Sequence, residues 1–72
     1  MKTIYKNEYK GEGVFIDLET SFEPYENLLS NHQKYLDKSK SYYIYCEKGI
    51  KSKRVVAILE AYGYDVVRVI NP

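Results

Sequence analysis

Short runs of apolar and aromatic residues alternate with polar stretches along the chain. Three of these runs, residues 14–18, 42–46 and 66–70, are compact and rich in the β-branched and aromatic side chains that strands favour. A weaker run at residues 3–5 can supply a short edge strand. The pattern therefore predicts three strands, with a fourth short strand at the edge of the sheet.

Two segments between these runs have helical spacing. In residues 25–36, apolar and aromatic side chains recur at helical intervals and would bury one stripe, formed by Tyr25, Leu28, Leu29, His32, Tyr35 and Leu36. Thr20 and Glu23 have the spacing of a capping box before this helix. A second helix is predicted over residues 51–62, with Gly63 as its C-terminal cap and one side formed by Ser52, Val55, Val56, Leu59 and Tyr62.

The order of these elements, strand–helix–strand–helix–strand, determines the expected fold class. Right-handed crossovers join the strands of such a chain into a parallel sheet with flanking helices. We therefore expect an α/β fold with a small parallel sheet in βαβαβ order, and a single domain over residues 1–72. Ligands of such sheets bind outside the carboxyl ends of the strands, and Cys46 lies at one of these ends.

Composition and charge narrow the class of partner. The net charge of +1 provides no global field that would attract nucleic acid or an acidic membrane. The nine tyrosines could stack on RNA bases, but a half-buried sheet or the rim of a site accounts for them better at this charge. Self-association is left open. The single cysteine and the lack of a signal-peptide or membrane-spanning run predict a cytoplasmic protein without an internal disulfide.

The segment around Cys46 has the composition of a reactive-cysteine loop. The start of a helix carries unpaired N–H groups and a positive dipole end, which both stabilise an anion. Lys48 and Lys51 add positive charge, and Gly49 lets the loop curl so that its N–H groups point inward. Ser52 could donate a hydroxyl hydrogen bond into the same cup. These features favour an activated thiolate, although a buried cysteine that acts as a small hydrophobic residue stays open as the alternative.

The loop Cys46-Glu47-Lys48-Gly49-Ile50-Lys51-Ser52 is followed by the predicted helix and then by Gly63-Tyr64-Asp65-Val66. Over residues 42–70 this order resembles the C-terminal half of a rhodanese-like domain. That family has a loop of the form Cys-x-x-Gly-x-Arg-Ser, a helix and a Gly-Tyr-x-Val strand entry. Upstream, Phe15-Ile16-Asp17-Leu18-Glu19 is similar to the family's Ile-Asp-Val-Arg-Glu strand.

The resemblance implies a minimal rhodanese-like fold and a sulfurtransferase. In the family, the loop cysteine takes the outer sulfur of a donor such as thiosulfate, holds it as a persulfide and passes it to a thiophilic acceptor. Carried onto this chain, Cys46 is the catalytic nucleophile, and the substrate-binding loop consists of Glu47, Lys48, Gly49, Ile50, Lys51 and Ser52. The implied partner is a small sulfur donor, or a protein that donates or accepts a persulfide. No cofactor is expected.

The chain departs from the family pattern at several positions. Lys51 replaces the loop arginine, so that a planar fork of donors becomes a point charge. Glu19 stands where the family has arginine, so a characteristic internal ion pair is missing or reversed. The family's Gly-His-Ile-x-Gly-Ala segment and its final helix are absent, and the pocket wall is expected to be thin or supplied by a partner. These departures affect turnover of free thiosulfate more than persulfide formation.

Other functions for a lone cysteine fit less well or stay open. A tyrosine phosphatase needs arginine six positions after its cysteine, where this chain has Ser52, and a thiol oxidoreductase needs a second cysteine. A non-catalytic rhodanese-like interaction module, in which Cys46 is incidental, stays open. A sulfur relay that depends on a partner lies between the two. Asp17 is a candidate supporting residue, His32 is expected on a helix face, and no metal site is predicted.

Overall fold

One parallel sheet organises the structure. In the computed structural model, which describes residues 1–22 and 24–72, its strands are β1 (Lys2–Tyr5), β2 (Val14–Asp17), β3 (Ser41–Tyr45) and β4 (Asp65–Ile70). They lie in the order β1-β4-β3-β2, and every neighbouring pair is parallel. The predicted α/β class and parallel sheet are confirmed, and each predicted strand, the edge strand included, is observed within one residue of its expected bounds.

The helices are α1 (Glu26–Ser30), α2 (His32–Tyr35) and α3 (Ile50–Ala61), and a short 3₁₀ turn (Lys6–Glu8) follows β1. Buried side chains of the helices join those of one face of the sheet in a single apolar cluster, because strand residues alternate between faces. The cluster contains Ile16, Ile44 and Val66 from the strands, Leu28 from α1, Leu36 after α2, and Val55, Val56 and Leu59 from α3. Burial of this apolar surface is the main force that holds α3 on the sheet.

Aromatic rings occupy the other face of the sheet. The ring of Tyr9, from the segment after the 3₁₀ turn, lies 5.0 Å from the rings of both Phe15 and Tyr43. Phe15 in turn stacks on Tyr45 at 5.8 Å. The amine of Lys6 lies 4.5 Å from the centre of the Tyr45 ring, in a cation–π arrangement. Tyr9 and Tyr43 are half-buried on this face and Tyr45 is buried, and their packing accounts for part of the unusual tyrosine content.

The helix predicted over residues 25–36 is wrong in its continuity. The backbone of Asn31 (φ −124°, ψ 31°) leaves the helical region, so the segment divides into α1 and α2. The Asn31 side-chain amide donates to the carbonyl oxygen of Asn27 at 3.2 Å, a local bond that competes with helix continuation. Because of the break, Leu36 reaches the core while Tyr35 stays 46% exposed and packs on Phe22.

Both predicted caps can be compared with the observed helix ends. The capping box of Thr20 and Glu23 includes Glu23, which lies outside the described residues, and the helix begins later, at Glu26. The C-terminal prediction is better: α3 ends at Ala61, and Gly63 follows with a φ of +95°. Tyr62, predicted on the same side of this helix as the buried residues, is 52% exposed, and one face of its ring stacks on that of His32, 4.4 Å away.

The carboxyl ends of β2, β3 and β4 lie at one edge of the sheet, since all strands run in the same direction. The amide of Leu18, just past β2, still donates to the carbonyl oxygen of Tyr45 at 2.9 Å. The segments after Asp17, Tyr45 and Ile70 therefore meet at this edge. Within the described part of the chain, no helix has the length and apolar character needed to cross a bilayer.

Candidate functional site

Cys46 lies where the sequence predicts it, between the end of β3 and the start of α3. Residues 46–49 form a turn in which the Gly49 amide donates to the Cys46 carbonyl oxygen at 3.3 Å. Gly49 has a φ of +77°, a left-handed conformation that only glycine adopts without strain. This residue reverses the chain so that α3 begins directly beneath the cysteine. The turn agrees with the predicted curl of the loop at Gly49, and the nest of inward-pointing N–H groups stays a prediction.

The sulfur atom of Cys46 accepts a hydrogen bond from the backbone of α3. The amide of Ser52 donates to Cys46 Sγ at 3.2 Å, with both residues buried. Among the hydrogen bonds of the described residues, this is the one loop amide that donates to the sulfur, and the wider cradle of amides from residues 47–52 stays a prediction. An unpaired amide at a helix start favours negative charge on the acceptor.

The Ser52 hydroxyl does not donate to the sulfur, contrary to the sequence-based expectation. Its Oγ atom donates instead to the carbonyl oxygen of Gly49 at 3.3 Å. A serine side chain in the first turn of a helix reaches backbone groups near it more readily than a sulfur atom six residues earlier. Ser52 therefore supports the loop through its hydroxyl and contacts the sulfur through its amide.

A cavity of about 350 Å³ opens over the cysteine. It is lined by Glu19, Cys46, Glu47, Lys48, Ile50 and Lys51. Cys46 itself is 1% exposed, so the thiol forms part of the cavity floor, whereas Ile50 is 74% exposed at the start of the helix. The structure thus brings most residues of the predicted loop together around the cavity, and Gly49 and Ser52 are the two that do not line it. A reactant must enter this cavity to reach the sulfur.

The charged side chains around the cavity balance one another. Lys51 Nζ lies 3.5 Å from Glu19 Oε2, and the two side chains are 44% and 39% exposed. This ion pair places a carboxylate at the position where the rhodanese-like pattern has arginine, so the sign of the charge at residue 19 is reversed, whereas Lys51 keeps the positive charge of the loop arginine. Glu47 and Lys48 add one charge of each sign, and the four lining side chains sum to a formal charge of zero.

Asp17 contributes to the site through the backbone of Glu19. Its Oδ1 atom accepts the Glu19 amide at 2.9 Å, and its carbonyl oxygen accepts the amides of Thr20 and Ser21 at 3.2 and 2.9 Å. These bonds close a turn after β2 that directs Glu19 towards α3. Asp17 does not line the cavity, and its observed role is to shape the turn.

Sequence reasoning missed Arg68, which lies in the middle of β4. Its Nη2 atom donates to the Gly49 carbonyl oxygen at 2.8 Å, and that oxygen also accepts the Ser52 hydroxyl and the amide of Lys53. Three donors therefore fix the orientation of the peptide group that starts α3. The signal in the sequence was an arginine between Val67 and Val69 in an otherwise apolar strand, since a half-buried arginine needs an acceptor.

Asn71 is a second anchor that the sequence did not reveal. Its side-chain Nδ2 atom donates to the backbone carbonyl oxygen of Glu47 at 2.8 Å, and its side-chain Oδ1 atom accepts the hydroxyl of Tyr45 at 3.2 Å. Arg68 in the middle of β4 and Asn71 just after it thus hold carbonyl groups on the cysteine loop. The loop is a fixed structure between β3, α3 and β4.

His32 lies away from the cysteine. Its Nδ1 atom and the hydroxyl of Tyr64 are hydrogen bonded at 2.8 Å, which agrees with the predicted helix-face role. Among the described residues, no group of three or more histidine, cysteine or acidic side chains is placed to hold a metal ion. The chemistry that the site itself provides is that of one thiol, one amide donor and a charge-balanced cavity.

Comparison with known proteins shows similarity to sulfurtransferases over part of the chain. The tRNA sulfurtransferase of Histophilus somni strain 2336 is 46% identical over 43 residues, which are 60% of this chain and 9% of that protein. The tRNA sulfurtransferase of Shewanella woodyi is 49% identical over 37 residues, or 51% of this chain and 8% of that protein. That of Haemophilus ducreyi is 44% identical over 43 residues.

The chain therefore spans less than a tenth of the length of the curated relatives that it matches. No family model matches the chain, and no solved structure matches it. Over the matched residues, the chain is related to sulfurtransferases.

Proposed function

We propose that residues 1–72 form a rhodanese-like domain that carries sulfur on Cys46 as a persulfide. The observation that carries the proposal is the placement of the thiol. It lies at the carboxyl end of β3, on the floor of a cavity, and its sulfur accepts the Ser52 amide at 3.2 Å. The partial identity with proteins named tRNA sulfurtransferase supports sulfur transfer as the class of function.

In the proposed first step, the Cys46 thiolate attacks the sulfane sulfur of a donor. With thiosulfate, the new Sγ–S bond forms as the S–S bond of thiosulfate breaks, and sulfite leaves with the electron pair. With a persulfide of another protein, the attack falls on the terminal sulfur and the thiolate of the donor protein leaves. No oxidant is needed in either case, because the sulfane sulfur is already at the oxidation level of a persulfide.

In the proposed second step, a thiophilic acceptor attacks the terminal sulfur and the Cys46 thiolate departs. The Ser52 amide stabilises the negative charge on Sγ before attack and after release, since a preorganised donor is most useful where charge develops. Arg68 and Asn71 hold the loop carbonyls, so the thiol stays in place when the sulfur is transferred.

A protein-interaction module without catalysis is the competing function. The burial of Cys46, which is 1% exposed, favours it, because an inert structural thiol would be equally buried. The two functions differ in what happens to the sulfur. Only the carrier gains a sulfur atom on Cys46.

Mass spectrometry of the intact protein tests the proposal. After exposure to thiosulfate or to the hydropersulfide of a small thiol, the wild type should gain one sulfur atom and lose it on addition of cyanide. Cys46→Ala should gain none, while Ser39→Ala, a serine far from the cavity, serves as the control for handling. If the wild type gains no sulfur from either donor, although Cys46 reacts with iodoacetamide in the native state, the carrier function is wrong.

A further inference from the structure

The ion pair between Glu19 and Lys51 lies across the cavity that contains the thiol. Lys51 is in the first turn of α3 and Glu19 is in the turn after β2, so the pair joins two different segments of the cavity wall. Both side chains are partly exposed, which places them at the mouth of the cavity and not in its floor. A donor that occupies the cavity therefore lies close to both charges.

The backbone of Glu19 is held where the pair requires it. Asp17 accepts the Glu19 amide through its side chain and the following two amides through its carbonyl oxygen. This turn positions the Glu19 carboxylate within 3.5 Å of the Lys51 amine, so that the amine is already paired before a donor binds. A lysine that is paired in this way offers less attraction to an incoming anion than a free lysine does.

The remaining charges of the cavity do not restore an attraction for anions. Glu47 and Lys48 cancel formally, and the paired Glu19 and Lys51 cancel as well. Thiosulfate would bring two negative charges into this balanced cavity, close to two carboxylates. The hydropersulfide group itself brings at most one negative charge, and an apolar wall such as Ile50 suits the carbon atom next to it.

We propose that Glu19 is a specificity-determining residue, which neutralises Lys51 and makes the site select thiol-borne persulfides over small dianionic donors. This inference rests on the proposed function and names its donor class. The sulfur atom is transferred as described above, with the thiolate of the donor as the leaving group. Asp17 acts through Glu19 as a positioning residue.

Kinetics of persulfide formation on three proteins test the inference. Relative to wild type, Glu19→Gln should raise kcat/KM for thiosulfate about threefold to tenfold, because one charge next to a dianion is removed in a partly hydrated site. The change should lie in KM and shrink as salt is added. The hydropersulfide of 2-mercaptoethanol, used as the second donor, should be affected less than about twofold. Glu60→Gln makes the same charge change away from the cavity, where Glu60 pairs with the N-terminus. It should leave kcat/KM unchanged for both donors.

If Glu19→Gln acts by releasing Lys51 from its ion pair, the effect of Glu19→Gln must depend on Lys51. A general change in the electrostatic potential of the cavity would not depend on it. In a Lys51→Met background, the gain from Glu19→Gln should fall to less than about twofold, since no lysine is left to be released. A gain that persists in that background, or one that Glu60→Gln reproduces, would overturn the inference. An unchanged ratio between the two donors in Glu19→Gln would also overturn it.

Thiosulfate binding can be measured without any sulfur transfer. In Cys46→Ala protein, titration of backbone amide NMR shifts with thiosulfate gives a Kd that should fall about threefold to tenfold when Glu19→Gln is added. An equal Kd in the two proteins would contradict the inference even if the carrier function holds. The converse result is that Glu19→Gln lowers the Kd for thiosulfate in Cys46→Ala protein while the wild type forms no persulfide with any donor. That result would support the role of Glu19 in anion exclusion and would show that the proposed function is wrong.

Discussion

Replacing Gly49 by alanine tests how the cysteine loop is held. The residue has a φ of +77°, and a Cβ atom added there would lie 3.0 Å from Arg68 Nη2 and 3.3 Å from Ile70 Cγ2. The alanine therefore meets two costs at once. Its backbone is strained, and the guanidinium that donates to the Gly49 carbonyl oxygen at 2.8 Å must shift by a few tenths of an ångström, which weakens that hydrogen bond.

The first cost has a matched control in Gly11, which has a φ of +90° but no atom within 4 Å of an added Cβ. A left-handed backbone costs alanine roughly 1–2 kcal/mol, and the smaller freedom of the unfolded chain offsets roughly 0.4–1 kcal/mol of this. Gly11→Ala should therefore destabilise the protein by about 1 kcal/mol. Weakening of a hydrogen bond to a charged group, whose full value is roughly 1.5–3 kcal/mol, adds to the cost at Gly49 only and gives about 2–4 kcal/mol for Gly49→Ala.

Urea unfolding monitored by circular dichroism gives the free energies of unfolding, with a check that the denaturant slope is unchanged. The same samples are assayed for persulfide formation, which should slow in Gly49→Ala and not in Gly11→Ala. In an Arg68→Met background, the cost of Gly49→Ala should fall towards that of Gly11→Ala, because no guanidinium is left to displace and only the contact with Ile70 remains. If Gly49→Ala is no more destabilising than Gly11→Ala by about 0.5 kcal/mol, the contact with Arg68 does not hold the loop.

Three further predictions concern the hydroxyl behind the site, an acidic turn and the core. Ser52→Ala should cost about 1 kcal/mol of unfolding free energy and retain persulfide formation, because the amide that donates to sulfur remains; loss of the persulfide in a folded variant would contradict this. The amide and hydroxyl of Ser39 donate to Asp37 and hold its pKa below the ordinary 3.8. The ionised Asp37 carboxylate thus adds to the free energy of unfolding above pH 3.8, and this contribution is lost as the pH falls through the lowered pKa. The difference in urea unfolding midpoint between wild type and Asp37→Asn should therefore close below pH 3.8. A difference that does not change with pH would refute this. Leu59→Ala, in the core, should cost about 2–5 kcal/mol by urea unfolding, whereas Ile50→Ala should cost less than about 0.5 kcal/mol, and similar costs would contradict the assigned burial.

The strands were predictable because their signal is local. Runs such as residues 42–46 and 66–70 combine β-branched and aromatic side chains, and parallel pairing buries both of their faces. The position of Cys46 at a strand end and a helix start at residue 51, one residue after the observed start at Ile50, followed from the same local pattern, with Gly49 as the break. The divided helix at Asn31 was missed because spacing alone does not register a side chain that bonds to its own backbone.

The anchors of the loop were missed for a different reason. Arg68 and Asn71 lie 19 and 24 residues from the loop carbonyls to which they donate, so their role depends on the pairing of β3 with β4. A pattern of hydrophobic and polar positions contains no information on such a distant contact. The ion pair of Glu19 and Lys51 is of the same kind, and the sequence indicated only that the expected pair would be missing or reversed.

The position of β4 between β1 and β3 has a consequence for the order of folding during synthesis. In the described sheet, β1 pairs with β4 alone, so the first strand has no partner until the last one leaves the ribosome. The loop carbonyls of Gly49 and Glu47 likewise receive Arg68 and Asn71 only at that time. Such contacts between distant parts of the chain raise the contact order and slow folding. The cysteine loop thus acquires its final geometry in the same late event that closes the sheet.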